Sequence, residues 1–433
     1  MPGPTAAPAP AVAPAPAAAP APAAAPAPAS MQPAVPEAGA PAEVAAPVDA
    51  APAPAPVEGK SAEKPSLAAR YDKGIALTSS DGNFEAKLAL RTQFRFETFR
   101  PGGGDFASRF AVVRGRLQLE GHVHGKANRY KAELAVDDRG GFTFMKDIYL
   151  ERRLSSVAVR IGQWKRPFNR QELVSDFSSE FNERAITADF AGGGRDMGIA
   201  VHNDYEKSPE GLEWVVGVFN GFAGGADKPS QGASTVCTTD PATGAITCSS
   251  TVSSPSNTIK DFGPTLVGRV GWNVGKIKGY SEADLEGGPL RLAIGAAYKI
   301  DLANFDKGDN SSVVDSFSHA AQVDVMLKNE GLDVLAGAYL QKLSGGSTEL
   351  GALLQGGYFL TPKVTQLAAR FAFHEAPGDR YLLEGRAAFN YYMAGHSFKV
   401  ASDVGFLKLT GEDASGNTTD PELQGRVMAQ MQF

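Results

Sequence analysis

Cysteine is nearly absent from this chain, with two in 433 residues. Cys237 and Cys248, in CTTDPATGAITC, stand too far apart for a CxxC-type metal site. They flank the turn sequence DPATG inside a polar stretch and suit a local loop disulfide, which needs an oxidising compartment. Long hydrophobic runs are missing too. No stretch of 18 apolar residues occurs, which excludes a transmembrane helix. Neither charge sign is in large excess. Lys and Arg number 42 against 48 Asp and Glu, a net −6, so there is no basic footprint for nucleic acid. The opening MPGPTAAPAP lacks the basic start and apolar run of a secretory signal. That leaves a cytosolic chain, or one whose signal has been removed. Histidine is scarce, with six scattered along the chain, and none stands in a serine or cysteine nucleophile motif. A nucleophile–base pair is therefore lacking, and no enzyme, cofactor or metal is expected.

Aromatic residues and isoleucine are absent from residues 1–70, where 18 of the 29 prolines fall. A segment of Ala and Pro cannot bury a core, so a disordered or locally polyproline II arm or linker is expected. Largely extended, at about 3.1 Å per residue, it would reach on the order of 200 Å. Residues 71–433 are instead rich in Gly, Phe, Val, Leu and Ala, with charges scattered singly. The expected division is an arm, 1–70, and one folded unit, 71–433.

That unit alternates. In LALRTQFRFET, Leu88, Leu90, Thr92, Phe94 and Phe96 fall on one strand face, and Arg91, Gln93, Arg95 and Glu97 on the other. In VRGRLQLEGHVHG, Val113, Gly115, Leu117, Leu119, Gly121 and Val123 alternate with Arg114, Arg116, Gln118, Glu120, His122 and His124. Strands of a soluble sandwich run to about five or six residues. These run well past that, to lengths that cross a bilayer at a tilt. Sixteen segments read this way: 84–98, 109–124, 129–138, 142–154, 157–164, 196–204, 211–220, 261–275, 289–301, 316–328, 331–343, 347–360, 364–375, 380–393, 396–410 and 422–433. Short connectors such as GKAN, SS, NEG, TPK and AGH follow even-numbered segments, and the long ones, 165–195, 221–260, 302–315 and 411–421, follow odd-numbered segments. The expected fold is all-β: a sixteen-stranded antiparallel transmembrane β-barrel of the outer-membrane kind, with both barrel termini periplasmic. The chain ends RVMAQMQF. Val427, Ala429, Met431 and Phe433 share one face, and Arg426, Gln430 and Gln432 the other, with Met428 an exception. Phe433 is expected to face lipid in an aromatic girdle with Tyr358, Phe359, Tyr391 and Tyr392.

The polar faces then line a lumen. Arg91, Arg95, Arg114, Arg116, Lys131, Arg160, Arg269, Arg370, Arg386 and Arg426 stand there beside Glu97, Glu120, Glu133, Asp324 and Glu384. Sixteen strands enclose a space too wide for wall side chains to plug, so a water-filled channel is expected. The connector from Lys165 to Arg195 is too long to be idle. Phe168, Phe177, Phe181 and Phe190 let it pack on the inner wall and narrow the pore. Its cations, Lys165, Arg166, Arg170, Arg184 and Arg195, are matched by Glu172, Asp176, Glu180, Glu183 and Asp189. Any anion preference must therefore come from placement. The candidate channel-lining and anion-binding residues are Arg91, Arg95, Arg114, Arg116, Arg160, Lys165, Arg166, Arg170, Arg184 and Arg195. Glu120, His122 and His124 are expected to be lumen wall rather than a metal site. AGGGRDMG lacks the Gly-Lys-Ser/Thr of a phosphate-cradling loop.

VRIGQWKRPFNRQEL, followed by FNERAITADFAGGGRDMGIAVH, resembles the phosphate-selective porin O and P family. There a Gly-Gln-aromatic-Lys-x-Pro-Phe motif leads into the pore loop, and a Gly-Arg-Asp-x-Gly motif opens the next strand. Here these are Gly162, Gln163, Trp164, Lys165, Pro167 and Phe168, then Gly194, Arg195, Asp196 and Gly198. The resemblance implies a trimeric porin in the outer membrane of a Gram-negative bacterium. Its third outer loop would be an anion-binding constriction for passive uptake of small anions, phosphate or related oxyanions. The other readings are a general diffusion porin of low selectivity, and a barrel tethered to the cell wall through residues 1–70.

Overall fold

The computed structural model describes residues 66–137, 142–143, 145–188, 194–221, 234–239, 246–251, 264–302, 318–342, 347–376, 380–411 and 420–433. The arm, up to residue 65, lies outside them. The first strand begins ahead of the expected division, at Leu67. Leu67–Tyr71 (β1) and Ile75–Ser79 (β2) form a hairpin. Next come β3 Glu85–Arg100, β4 Ala107–His122, β5 Asn128–Asp137, β6 Phe142–Thr143, β7 Ile148–Leu154, β8 Val157–Lys165, β9 Arg195–His202 and β10 Gly211–Phe219. β11 Ser234–Thr239 and β12 Ile246–Thr251 pair only with each other. The chain finishes with β13 Thr265–Val274, β14 Arg291–Asp301, β15 Ser318–Asn329, β16 Leu332–Lys342, β17 Thr348–Thr361, β18 Thr365–Ala376, β19 Arg380–Tyr392, β20 Phe398–Leu409 and β21 Glu422–Gln432.

Each wall strand pairs antiparallel with the next, β5 passing to β7 and β10 to β13, and β21 pairs back to β3. The result is a closed sixteen-stranded barrel, as the alternation implies. Closure removes the open edges that a membrane cannot tolerate. Its outward residues are apolar: Phe94 is 51 % exposed, while its neighbour Gln93, facing in, is 0 %. One end, here called the terminal end, holds both barrel termini and most short turns. The other is the loop end.

Three details differ from the sequence reading. The expected segment 142–154 is interrupted: β5 pairs Ala132 with Ile148 but Ala135 with Thr143, so two extra residues lie between β6 and β7, and Asp147 there faces in between Lys131 and Arg195. In β4, Gln93 opposes Arg114 but Phe94 opposes Val112, so Val113 is the extra residue of a bulge. The bulge turns Val113 inward, against expectation, onto Met428 and Ala401, and this accounts for the apolar Met428 on a polar face. Tyr358 and Tyr391 do face out, but Phe359 and Tyr392 are 4 % and 2 % exposed and pack inside against Ala283, with ring centroids 5.4 Å apart. Adjacent residues of a strand cannot share a face.

Phe433 closes the seam. Its N–H donates to the Leu90 carbonyl at 2.9 Å, and its carbonyl accepts from the Leu90 N–H at 2.6 Å. Immediately beyond, β2 takes over the same edge of β3, with Ile75 opposite Leu88. The largest apolar core lies within the barrel. It gathers Trp164, Phe168, Tyr205, Phe219, Ile277 and Tyr339 around two segments that enter from opposite ends.

Candidate pore and its inserted segments

The first inserted segment, described from Arg166 to Ala188 and again at Gly194, is held in place by the motifs that flank it. Gly162 has φ +134°, and a Cβ there would sit 2.2 Å from the Ile148 carbonyl oxygen, so a side chain is excluded twice over. Gln163 donates to the carbonyls of Met145 and Lys146, both at 2.9 Å. Trp164 is buried against Phe219, centroids 5.0 Å apart. Lys165 folds back onto the carbonyls of Glu172 (2.6 Å) and Val174 (3.1 Å). Phe168 is fully buried, and its carbonyl accepts from Gln322 (2.7 Å) and Arg269 (3.1 Å). A single helical turn, α1 (Arg170–Leu173), starts where the Asn169 side chain accepts the Gln171 N–H. On the way out, the Asp196 carboxylate accepts from the backbone of Met197 (2.8 Å) and Gly221 (2.9 Å). At Gly198 a Cβ would meet the Val218 carbonyl oxygen at 2.3 Å.

Between these ends the segment crosses the lumen and binds walls far apart in sequence. Gln171 donates to Gln355 on β17 at 3.0 Å, and the Ile186 N–H to Glu384 on β19 at 2.9 Å. The Asn182 N–H reaches Asp403 on β20 at 3.0 Å, and the Phe177 carbonyl accepts from Gln430 on β21 at 2.8 Å. Charge sets the orientation. The cationic first part faces acidic wall: Arg170 binds Asp324 and lies 3.8 Å from Glu213. The acidic later part faces arginines: Glu183 binds Arg95 and Arg114, and Asp176 lies 3.5 Å from Arg116 and 3.6 Å from Arg114. Burial pushes the Glu183 carboxyl up, but Arg114 and Arg95 more than reverse this and bring it down to about 2. Asp176 is likewise buried yet held well below the usual carboxylate range, chiefly by Arg184 and Arg114.

The candidate cations therefore all have partners. Arg91 binds Glu133, with its guanidinium over the Phe177 ring at 4.8 Å. Arg95 also reaches Glu97 at 2.6 Å. Arg116 lies 3.6 Å from Glu133. Arg160 is doubly paired, to Glu151 at 2.8 Å and Glu206 at 2.8 Å. Arg184 closes on Asp176 at 2.7 Å, and Arg195 binds Asp147. Arg166 is buried 3.9 Å from Asp196. Arg170 is 1 % exposed and bonds the Gly279 carbonyl at 2.9 Å. These two, expected to line an open path, hold the segment to the wall instead. Among the described residues, a cavity of about 310 Å³ lies at the loop end, lined in part by Arg95, Arg109, Arg426, Glu97, Glu183 and Glu422.

Two expectations fall on other ground. Asp189 and Phe190 lie outside the described residues, and so do the cysteine sulfurs. The β11–β12 backbone register sets Cys237 opposite Cys248. His122 bonds the Gly82 carbonyl at 3.0 Å. His124 sits in the turn after β4 with φ 51°, so the three residues Glu120, His122 and His124 do not converge.

The second inserted segment, Gly275–Leu290, enters from the terminal end and was not anticipated. Ile277, Glu282, Ala283 and Asp284 are all buried. Tyr280 donates to Glu213 at 2.7 Å and accepts from Arg269 at 3.1 Å. Lys328 donates to the carbonyls of Ala283 (3.1 Å) and Lys278 (3.3 Å). The two inserted segments meet: the Glu282 N–H donates to the Ser178 carbonyl at 3.0 Å, and the Glu180 N–H to the Glu282 carboxylate at 2.8 Å. Beside that contact, Gln366 is fixed by Tyr392 (2.8 Å) and Asn390 (3.1 Å) on its oxygen, so its amide nitrogen faces both Glu180 and Asp333. Burial, and then the Asp333 charge, push the Glu180 carboxyl well up. The sequence signals were slight: a terminal-end turn longer than its neighbours, with Ile277 and Tyr280 inside it.

No family model matches the chain, and no curated protein matches it. Solved structures do. The anion-selective porin from Comamonas acidovorans is similar at 12 % identity with a TM-score of 0.50, over 80 % of this chain and 99 % of that one. The outer membrane channel DcaP of Acinetobacter baumannii is similar at 13 % identity with a TM-score of 0.50, over 81 % of this chain and 99 % of that one. At such identities the likeness shows a shared fold, the outer-membrane barrel.

Proposed function

We propose that this chain is a porin of a Gram-negative outer membrane, a water-filled channel through which small polar solutes pass by diffusion. It would sit with both barrel termini in the periplasm and assemble as a homotrimer. One observation carries the reading: a closed barrel, apolar outside and charged inside, has a lumen crossed by a segment tied to the wall at both ends and along its length. Such a segment narrows a channel without filling it. The porin-like fold of the two neighbours supports it.

The pairing of the candidate arginines argues for modest ion selectivity. Each paired cation presents little net field to a passing ion. A lean toward anions comes from elsewhere. Near the terminal end, the side chains of Arg129 and Arg153 are each 31 % exposed, while their shared partner Asp204 is 13 % exposed and Glu151 is 2 %. Lys131 is 20 % exposed over Asp147 at 8 %. The cations face the water, and the carboxylates lie behind them. A phosphate-type preference rests on this placement. Single-channel recording in a planar bilayer tests both levels. A folded chain that conducts no current refutes the porin. In a tenfold salt gradient, a reversal potential of modest anion sign is expected. Arg129→Gln with Lys131→Gln should move it toward zero, and no movement would leave the low-selectivity porin in place.

A further inference from the structure

We infer that the solute route is lateral: in the terminal-end half of the lumen it runs only along the β3–β7 wall, because the Gly275–Leu290 segment fills the opposite side. This rests on the porin reading and adds where the path lies.

The observation is an asymmetry among residues of the same chemistry, facing the same lumen at the same end. On the β3–β7 side, the side chains of Lys87, Glu120, Arg129, Lys131 and Arg153 are between 20 and 39 % exposed. Across the barrel, Glu213, Lys328, Asp333, Gln366 and Lys399 are between 0 and 3 % exposed. Long charged side chains are almost never fully buried unless something polar covers them. Here the cover is visible. Lys328 is spanned by the carbonyls of Lys278 and Ala283 from the second segment. Lys399 ends on the Ser179 carbonyl of the first. The Asp284 N–H of the second segment donates to Asp333 at 3.2 Å. Ala283 packs on Phe359 and Tyr392, which were expected in the outer girdle. Two inward aromatics on β17 and β19 make this side of the wall apolar enough to seat a plug. Ser281 also reaches His396, in the turn after β19, at 3.2 Å. The segment is thus held to β10, β13, β15, β16, β17 and β19, and none of the hydrogen bonds described for it goes to β3, β4, β5 or β7.

Two measurements test the route, the first on the unaltered protein. The folded barrel in detergent is treated with a water-soluble amine-acetylating reagent, and the extent at each lysine is read by mass spectrometry. A buried amine reacts only through local opening, so Lys87 should label faster than Lys328 and Lys399 by about tenfold or more. Equal rates would overturn the inference. The second measurement links exposure to the current path. In a Cys237→Ser, Cys248→Ser background, Lys87→Cys or Arg129→Cys is compared with Gln366→Cys or Asn390→Cys, each treated during recording with a charged methanethiosulfonate reagent. Modification should lower the single-channel current at the first pair and leave it unchanged at the second. Block from the second pair, or equal block from both, refutes the lateral route. Absence of current from the untreated parent would instead refute the porin reading.

Discussion

Asp324 is where a single charge should matter most. Its carboxylate accepts two bonds from Arg269, at 2.8 and 3.0 Å, and another from Arg170, and all three side chains are buried. Asp324→Asn keeps the shape and removes the charge that both guanidinium groups face. Removing one partner of a buried ion pair costs about 3–5 kcal/mol. Glu213, 3.6 Å from Arg269 and 3.8 Å from Arg170, remains to offset part of this, which leaves about 2–4 kcal/mol by the same measure. Arg170→Gln should be milder, because Asp324 keeps its two bonds to Arg269. Since Arg170 and the Phe168 carbonyl fasten the first inserted segment here, the loss should appear as local opening of residues 166–188 with the barrel intact. At about 1.4 kcal/mol per decade, the open population rises roughly 30- to 1,000-fold. The assay is limited proteolysis of the detergent-folded barrel, with single-channel current noise recorded in parallel. Unchanged cleavage and quiet, unaltered current in a folded Asp324→Asn protein would show that this triad does not anchor the segment.

Gly162→Ala should strain the entry to the same segment. Positive φ alone costs about 1–3 kcal/mol, and the Cβ also meets the Ile148 carbonyl oxygen, so a lower unfolding temperature than for a substitution at Gly268, where a Cβ meets nothing within 4 Å, checks it. Glu183 has its folded pKa lowered, so its contribution is fully present above the ordinary value of 4.5 and is lost as pH falls through about 2. Protease protection of the segment should accordingly hold at pH 5 and decline below pH 4, whereas in Glu183→Gln it should be weak at both. Glu180 has the opposite sign: its folded pKa is raised, so its contribution is present at low pH and lost as pH climbs through the raised value. Glu180→Gln should keep the segment as protected at pH 9 as at pH 5, and a pH response matching that of the wild type would count against the assignment.

The wall was legible because lipid outside and water inside impose one rule on every strand, and Leu88 to Glu97 obey it residue by residue. The bulge at Val113 leaves no local trace; it is visible only against the register of β3. Phe359 and Tyr392 were misplaced by reading composition near a turn instead of parity along the strand. The β1–β2 hairpin could have been found, since Leu67, Tyr71, Ile75 and Leu77 flank the turn DKG, but the Ala/Pro run before it drew the boundary too late. That charges line the interior was legible, but which of them would be paired and buried was not. Whether Arg170 faces water depends on Asp324, 154 residues away, and on Gly279, 109 residues away, in a turn that gave no sign of folding inward.

The seam at Phe433 has a consequence for how the barrel assembles. Gln93 and Gln430, bonded across it at 2.7 Å, are 337 residues apart in the chain. Bringing such distant residues together costs about 3 kcal/mol more in chain entropy than closing a ten-residue hairpin, and contacts of this range form late. Until β21 arrives, the edge of β3 from Arg91 to Arg100 is an unpaired template as long as a whole strand. The rest of that edge, Glu85–Leu88, is covered by β2, a neighbour only a few residues away. The nascent protein can therefore guard the lower part of its vulnerable edge almost at once. The upper part stays open to a wrong partner for as long as its own last strand takes to find it.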